Sequence, residues 1–220
     1  MIDAAIFDMD GVLVDNVSYH VRAWRRLGEQ LGKELSEEDI KTVFGRRNRE
    51  MLPALFDRDF SEEETARYSE QKEEVYRQLI SPDLKPVPGL LDFLSDLRGQ
   101  RVQTAVATSG PPKNVEFILG RLGIEPYFDE VVTGADVTRG KPHPEIFLTA
   151  AKKLTRRPER CVVFEDSPSG IEAAQRANCA CVAVATTHSV EELAKLSPDL
   201  IILDFRGLDA AQIKQMGKLD

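Results

Sequence analysis

Ala4-Ala5-Ile6-Phe7-Asp8-Met9-Asp10-Gly11 is a short apolar run that stops on two carboxylates set two residues apart. Its four apolar residues read as a buried β-strand, because a strand covered on both faces shows no polar alternation. Comparable runs recur at residues 102–107, 130–133, 161–164, 181–185 and 200–203. Helical patterns separate most of them. Within 113–122, Val115, Ile118, Leu119 and Leu122 form one apolar stripe at helical spacing. Several of these helices open on proline, at Pro111-Pro112, at Pro144 after His143 and at Pro168 after Ser167. Strand, short turn, proline-started helix and strand is the rhythm of an α/β protein with a Rossmann-like parallel sheet.

The first connection breaks that rhythm. From Asp8 to the next strand run at Val102 lie roughly 90 residues, whereas a crossover needs about a dozen. The excess reads as helical over 17–31, 36–44, 49–55 and 61–79. Ser61-Glu62-Glu63-Glu64 is a capping box and Ser36-Glu37-Glu38-Asp39 a near match. Pro82, Pro86 and Pro88-Gly89 punctuate the return to the sheet. The expected organisation is an α/β core of 1–15 and 83–220 with an inserted α-helical cap domain of 16–82. Such an insertion lies over the carboxyl ends of the strands, where open α/β sheets bind ligands. The chain crossings at 15–16 and 84–88 are the expected hinges.

A net charge of −8 argues against nucleic acid or an anionic membrane as partner, while leaving room for a small anion held by a few focused cations. No apolar run approaches the roughly 18–20 residues of a membrane span, and Met1-Ile2-Asp3 lacks the basic start of a secretory signal. Cys161, Cys179 and Cys181, odd in number and set in apolar runs, read as reduced buried thiols of a cytoplasmic protein. A monomer or weak homodimer is expected.

Polar residues suited to phosphate chemistry follow four of the strands: Asp8 and Asp10, then Thr108 with Ser109 and Gly110, then Lys141, then Glu165-Asp166-Ser167. Taken singly, an aspartate after a strand is usually a turn former, a Lys-Pro is usually surface, and Ser167 reads as a helix cap. In a parallel sheet, however, all four sets project into one cleft. A hard cation such as Mg²⁺ prefers oxygen ligands, for which Asp8 and Asp166 are suited, with Glu165 beside or behind them. Lys141 can neutralise phosphate and nucleophile, and Thr108 can donate a hydrogen bond. The backbone N–H groups near Ser109 and Gly110 suit an anionic oxygen. Asp8 as nucleophile would form an aspartyl-phosphate, dividing one hard displacement into two easier ones. Asp10 could protonate the leaving oxygen and then activate water.

Four motifs in this order resemble the haloacid dehalogenase superfamily, in its sugar-phosphate phosphatase and β-phosphoglucomutase-like branch. They are Asp8-Met9-Asp10-Gly11-Val12-Leu13-Val14-Asp15; Val106-Ala107-Thr108-Ser109; Gly140-Lys141-Pro142 with Pro144-Glu145-Ile146-Phe147; and Phe164-Glu165-Asp166-Ser167 with Gly170-Ile171-Glu172-Ala173-Ala174. The resemblance covers essentially the whole chain. It implies Asp8 as nucleophile, Asp10 as general acid and base, Thr108 and Lys141 as phosphate binders, and Mg²⁺ held by Asp8, the Asp10 carbonyl and Asp166 with help from Glu165. Members that attack carbon lack the second aspartate, so Asp10 speaks for phosphoryl chemistry over dehalogenation.

On the first cap helix His20, Ala23, Trp24, Leu27 and Leu31 share a face. Tyr19-His20 with Arg22-Ala23-Trp24 resembles the β-phosphoglucomutase cap, as does Lys72 four residues before Tyr76. His20, Trp24 and Lys72 are thereby expected near the substrate or the general acid. The basic loop Gly45-Arg46-Arg47-Asn48-Arg49-Glu50 reads either as a solvated turn or, through Arg46, Arg47 or Arg49, as a contact to a second anionic group. The mutase-like pattern has an arginine where Asn48 stands and a threonine where Asn16 stands, which favours a phosphatase. The function expected is thus Mg²⁺-dependent hydrolysis of a small phosphorylated metabolite, a sugar phosphate first among them. A β-phosphoglucomutase interconverting β-glucose 1-phosphate and glucose 6-phosphate is the alternative. A phospho-accepting signalling module is a third reading, disfavoured because it has no use for a cap and a general acid.

Overall fold

A computed structural model describes residues 1–216. Strand β1 (Ala4–Phe7) is followed by helices α1 (Val17–Leu31), α2 (Glu37–Val43), α3 (Asn48–Phe56), α4 (Glu62–Ile80) and α5 (Leu90–Gly99). Then come β2 (Gln103–Ala107), α6 (Pro112–Leu122), β3 (Glu130–Val132), α7 (Glu145–Lys153), β4 (Cys161–Glu165), α8 (Pro168–Arg176), β5 (Ala180–Val184), α9 (Val190–Ala194), β6 (Leu200–Ile202) and α10 (Ala210–Gln215). The six strands form one sheet in the order β3-β2-β1-β4-β5-β6, and every pairing is parallel. Each expected strand is present, with ends displaced by a residue or so.

Strand β1 lies at the centre, and all four of its residues are buried. Its side chains alternate between two apolar layers. Phe7 points into one layer with Phe93, Phe164 and Phe205, stacking on Phe164 with ring centroids 4.6 Å apart and planes 6° apart. Ile6 points into the other with Phe147, Val163 and Ile171. A sheet sandwiched in this way needs apolar residues at every position, which is why its strands lack alternation. Truncating Phe7 to alanine would cost about 3–5 kcal/mol.

From β1 the chain adds β2 and β3 on one side, then crosses back through α7 to lay β4 against the other side of β1. The connections diverge there and leave a crevice outside the carboxyl ends of β1 and β4. Helices α1 to α4 cover it. They carry their own core, with Val21, Trp24, Leu27, Ile40, Leu52 and Leu55 buried together. Ser36 with Asp39 and Ser61 with Glu64 form reciprocal capping boxes at the starts of α2 and α4. The two chain crossings are tied to each other, since Val87 N donates to Leu13 O at 3.0 Å.

Among the described residues, no helix is long and apolar enough to cross a membrane. Cys161, Cys179 and Cys181 are buried and form no disulfide.

Candidate active site

Asp8 leaves the end of β1, and its N–H continues the ladder to Phe164 O at 3.0 Å. The neighbouring strand β4 delivers Glu165 and Asp166 to the same level. Lys141, from the loop before α7, reaches across with its Nζ 3.1 Å from Asp8 Oδ1 and a hydrogen bond to Glu165 Oε1. Glu165 is fixed from behind: its Oε2 accepts from Asp166 N at 3.0 Å, Ser167 N at 3.1 Å and Ser167 Oγ at 3.0 Å. Ser167 also caps α8 by accepting from Gly170 N at 3.1 Å. Gly170 is required, because a Cβ there would overlap the Glu165 carboxylate.

Three buried carboxylates thus face one lysine. Burial pushes Asp8 up to about 7 despite Lys141, with Glu165 and Asp10 adding to the rise. Burial also carries Asp166 well above the usual carboxylate range, reinforced by Glu165 and Asp8. Lys141 is raised in spite of its burial, because Asp8 and Glu165 favour its charged form. The imbalance is the kind a cation corrects. Donor atoms of Asp8, Glu165 and Asp166 lie within 4.8 Å of one another, and Asp166 Oδ1 is buried with no hydrogen-bond partner. An oxygen-only set with an unused buried oxygen fits a hard divalent ion.

Asp10 sits in a separate network. Asn16 Nδ2 donates to Asp10 Oδ1 at 2.6 Å, and His20 Nε2 lies 3.2 Å from the same oxygen. Lys72 Nζ is 2.7 Å from His20 Nδ1. An ammonium has no lone pair, so in this contact Nδ1 accepts. Tyr76 stacks on His20 at 3.7 Å and its hydroxyl accepts from Asn16 Nδ2 at 2.6 Å. Burial alone would raise Asp10, but His20, Asn16 and Lys72 hold it below the usual carboxylate range. This arrangement favours the ionised form of Asp10.

Thr108 is buried at the end of β2 and its Oγ1 accepts from Gly110 N at 3.0 Å. Asp8, Asp10 and Thr108 line a cavity whose opposite wall includes His20, Trp24, Arg46 and Lys72. It measures ≈ 30 Å³, room for about one water. The covering helices thus leave little free space beside Asp8 and Asp10.

The basic loop divides its arginines. Arg46 lines the cavity. Arg47 caps α3 and turns instead to the core, donating to Val137 O and Thr138 O at 3.0 Å each and pairing with Glu50 at 2.5 Å. Arg49 faces outward to Glu62 at 3.0 Å. Ser109 lines the cavity but its Oγ donates to Gly45 O at 2.6 Å, so its side chain latches the cap. Four participants escaped the sequence reading. Glu50 accepts from Gly140 N at 3.3 Å. Glu73 accepts from Asn48 at 2.7 Å, Lys72 at 2.9 Å and Asn114 at 2.8 Å, joining cap to core. Thr187, after β5, donates to Asp166 Oδ2. Extending the strand-end rule to the fifth strand would have found Thr187; nothing in the sequence marks Glu73 or Asn114.

Residues 2–178 match the family model of haloacid dehalogenase-like hydrolases. A phosphorylated carbohydrates phosphatase of Thermotoga maritima is 41% identical over 179 residues, covering 80% of this chain and 81% of the relative. The beta-phosphoglucomutase of Bacillus subtilis is 33% identical over 191 residues, with 82% of each chain covered. A solved beta-phosphoglucomutase from Clostridium difficile superposes with a TM-score of 0.88 at 32% identity, over 98% of this chain and 97% of the other. The chain belongs to the haloacid dehalogenase-like hydrolases.

Proposed function

We propose that this protein is a Mg²⁺-dependent phosphatase that hydrolyses a small phosphorylated metabolite, a sugar phosphate, through a phosphoryl group carried on Asp8. The observation that carries this reading is the placement of two aspartates in unlike surroundings two residues apart. Asp8 lies against Lys141 at 3.1 Å; Asp10 lies against Asn16 at 2.6 Å and His20 at 3.2 Å. Paired carboxylates held in different environments are suited to different roles.

Asp8, Asp166 and the Asp10 carbonyl would hold the ion, with Glu165 supporting. When bound, Mg²⁺ supplies positive charge against the phosphoryl oxygens. Lys141 and Thr108 orient the phosphate. A carboxylate oxygen of Asp8 forms a bond to phosphorus as the ester P–O bond breaks, and Asp10 gives its proton to the departing alcohol oxygen. The incoming phosphate dianion favours that proton on Asp10 before the step. Asp10, now a carboxylate, next takes a proton from water as the water oxygen attacks phosphorus. The bond to Asp8 breaks and inorganic phosphate leaves. The contacts from His20 and Asn16 stabilise the ionised form required for the second step.

A mutase would differ only in the acceptor, a sugar hydroxyl in place of water, and the β-phosphoglucomutase relatives support that second reading. Against it, Arg47 and Arg49 are engaged elsewhere and Asn48 is bound to Glu73. Residues 16–82 are proposed as the mobile cap, and the buried thiols suit a reducing, cytoplasmic setting. The test is a Mg²⁺-dependent phosphate-release screen over phosphorylated sugars, run beside isomerisation of β-glucose 1-phosphate. Phosphate release without isomer is expected. Sustained isomerisation would decide for the mutase, and no turnover of any phosphomonoester would overturn both readings.

A further inference from the structure

At the amino ends of β1 and β4, the opposite edge of the sheet from Asp8 and Glu165, lies a cleft of ≈ 840 Å³. Asp3, just before β1, lines it together with the loop that joins α7 to β4. That loop reads Thr155-Arg156-Arg157-Pro158-Glu159-Arg160, three arginines within five residues of a chain whose net charge is −8. Nothing in the chemistry at Asp8 calls for them.

The backbone gathers the three guanidinium groups. Thr155 ends α7 in the left-handed region, with φ at 57°, and Arg156 N turns back to Ala151 O at 2.9 Å. A single tight turn over Pro158–Arg160 follows, closed by Arg160 N donating to Arg157 O at 3.0 Å. Asp3 N then donates to Arg160 O at 3.0 Å and seats the loop beside β1.

The carboxylates present answer only part of this charge. Arg160 Nη2 lies 2.8 Å from Asp3 Oδ2. Arg156 Nε lies 3.5 Å from Asp3 Oδ1, and both atoms are buried without a hydrogen-bond partner among the described residues. Glu159 accepts from Asn178 Nδ2 at 3.0 Å. The side chain of Arg157 is exposed, and among the described residues its guanidinium meets no acceptor. One fork is thus wholly free beside two that are partly used, which suits an anion offering many oxygens. No aromatic or aliphatic residue lines the cleft, so it has no apolar surface on which to hold a base or a ring.

We propose that Arg156, Arg157 and Arg160 form a binding site, separate from the catalytic cavity, for the bare phosphate chain of an inorganic polyphosphate. A lone carboxylate engages one fork, whereas successive phosphoryl groups present oxygens to several. The site does not depend on which reaction runs at Asp8.

Titration calorimetry with inorganic triphosphate, in the absence of Mg²⁺, reads the site directly. Saturable binding of one anion per chain is expected. Arg157→Gln removes a fork that holds nothing in the fold, so the variant should unfold at the temperature of the parent and release phosphate from its substrate as fast. Its Kd for triphosphate should rise by about tenfold or more, and Arg157→Lys should recover only part of the loss. No binding to the unaltered protein, or a Kd unmoved by Arg157→Gln, overturns the proposal. Arg46→Gln serves as the control for the catalytic cavity: a rise in Kd equal to that of Arg157→Gln puts the anion there and also overturns it. ATP carries a phosphate chain of the same length and should bind no more tightly than triphosphate. Tighter binding of ATP would mean that the base is recognised, and inorganic phosphate binding as well as triphosphate would mean that a single phosphoryl group suffices. Either result overturns the assignment to a bare chain.

Discussion

Arg47 of the cap donates to the carbonyl oxygen of Thr138 at 3.0 Å, three residues before Lys141 in the core. The same guanidinium reaches Val137 O, also at 3.0 Å, and its partner Glu50 accepts from Gly140 N. Cap and core therefore meet on the loop that carries the lysine.

Removing that grip should impair catalysis more than folding. Charge-assisted hydrogen bonds contribute roughly 1.5–3 kcal/mol, so Arg47→Ala should lower kcat/KM by about tenfold or more. Arg47→Lys lacks the planar fork that reaches Val137 O, Thr138 O and Glu50 together, and should recover only part of the loss. Steady-state kinetics of the two variants, with thermal unfolding as the control for stability, check this.

His20 is the largest influence opposing the burial of Asp10. Without it the Asp10 carboxyl is harder to ionise, so its pKa rises. If ionised Asp10 activates water, the acid limb of the kcat profile, which includes hydrolysis of phosphorylated Asp8, must move to higher pH in His20→Gln. An unmoved limb would remove Asp10 from that role.

Thr187 holds one oxygen of Asp166 by donating to Oδ2, which leaves Oδ1 without a partner. Thr187→Val deletes the donor at nearly constant volume. Loss of such an orienting contact commonly weakens metal binding by about 10–100-fold, and Mg²⁺ titration by calorimetry measures it directly.

Metal-free protein should lose stability as pH rises. Asp8 is raised from 3.8 to about 7 in the fold, so the folded state binds its proton more tightly than the unfolded chain. The resulting contribution is fully present below about pH 4 and disappears as pH climbs through about 7. Unfolding of the metal-free protein over that range should show the decline, and Asp8→Asn should flatten it. Saturating Mg²⁺ should offset it by binding the folded state alone.

The sequence by itself determined the sheet and the reacting end of the site. Uninterrupted apolar runs such as 4–7 and 161–164 suit strands covered on both faces, and parallel strands of this kind bring their carboxyl-end residues together. The strand ends alone therefore put Asp8, Asp10, Thr108, Lys141, Glu165 and Asp166 in one cleft. Only the tertiary structure decided the cap side. Arg46, Arg47 and Arg49 carry the same charge within four residues, and their fates differ because α3 begins at Asn48. Arg47 is left as the cap that reaches the core, while Arg49 is carried on the helix toward Glu62. Glu73 sits next to Lys72 in the chain, but its other partners, Asn48 and Asn114, come from α3 and α6. Contacts between helices depend on how their faces meet in space, and sequence spacing along one helix does not encode that meeting.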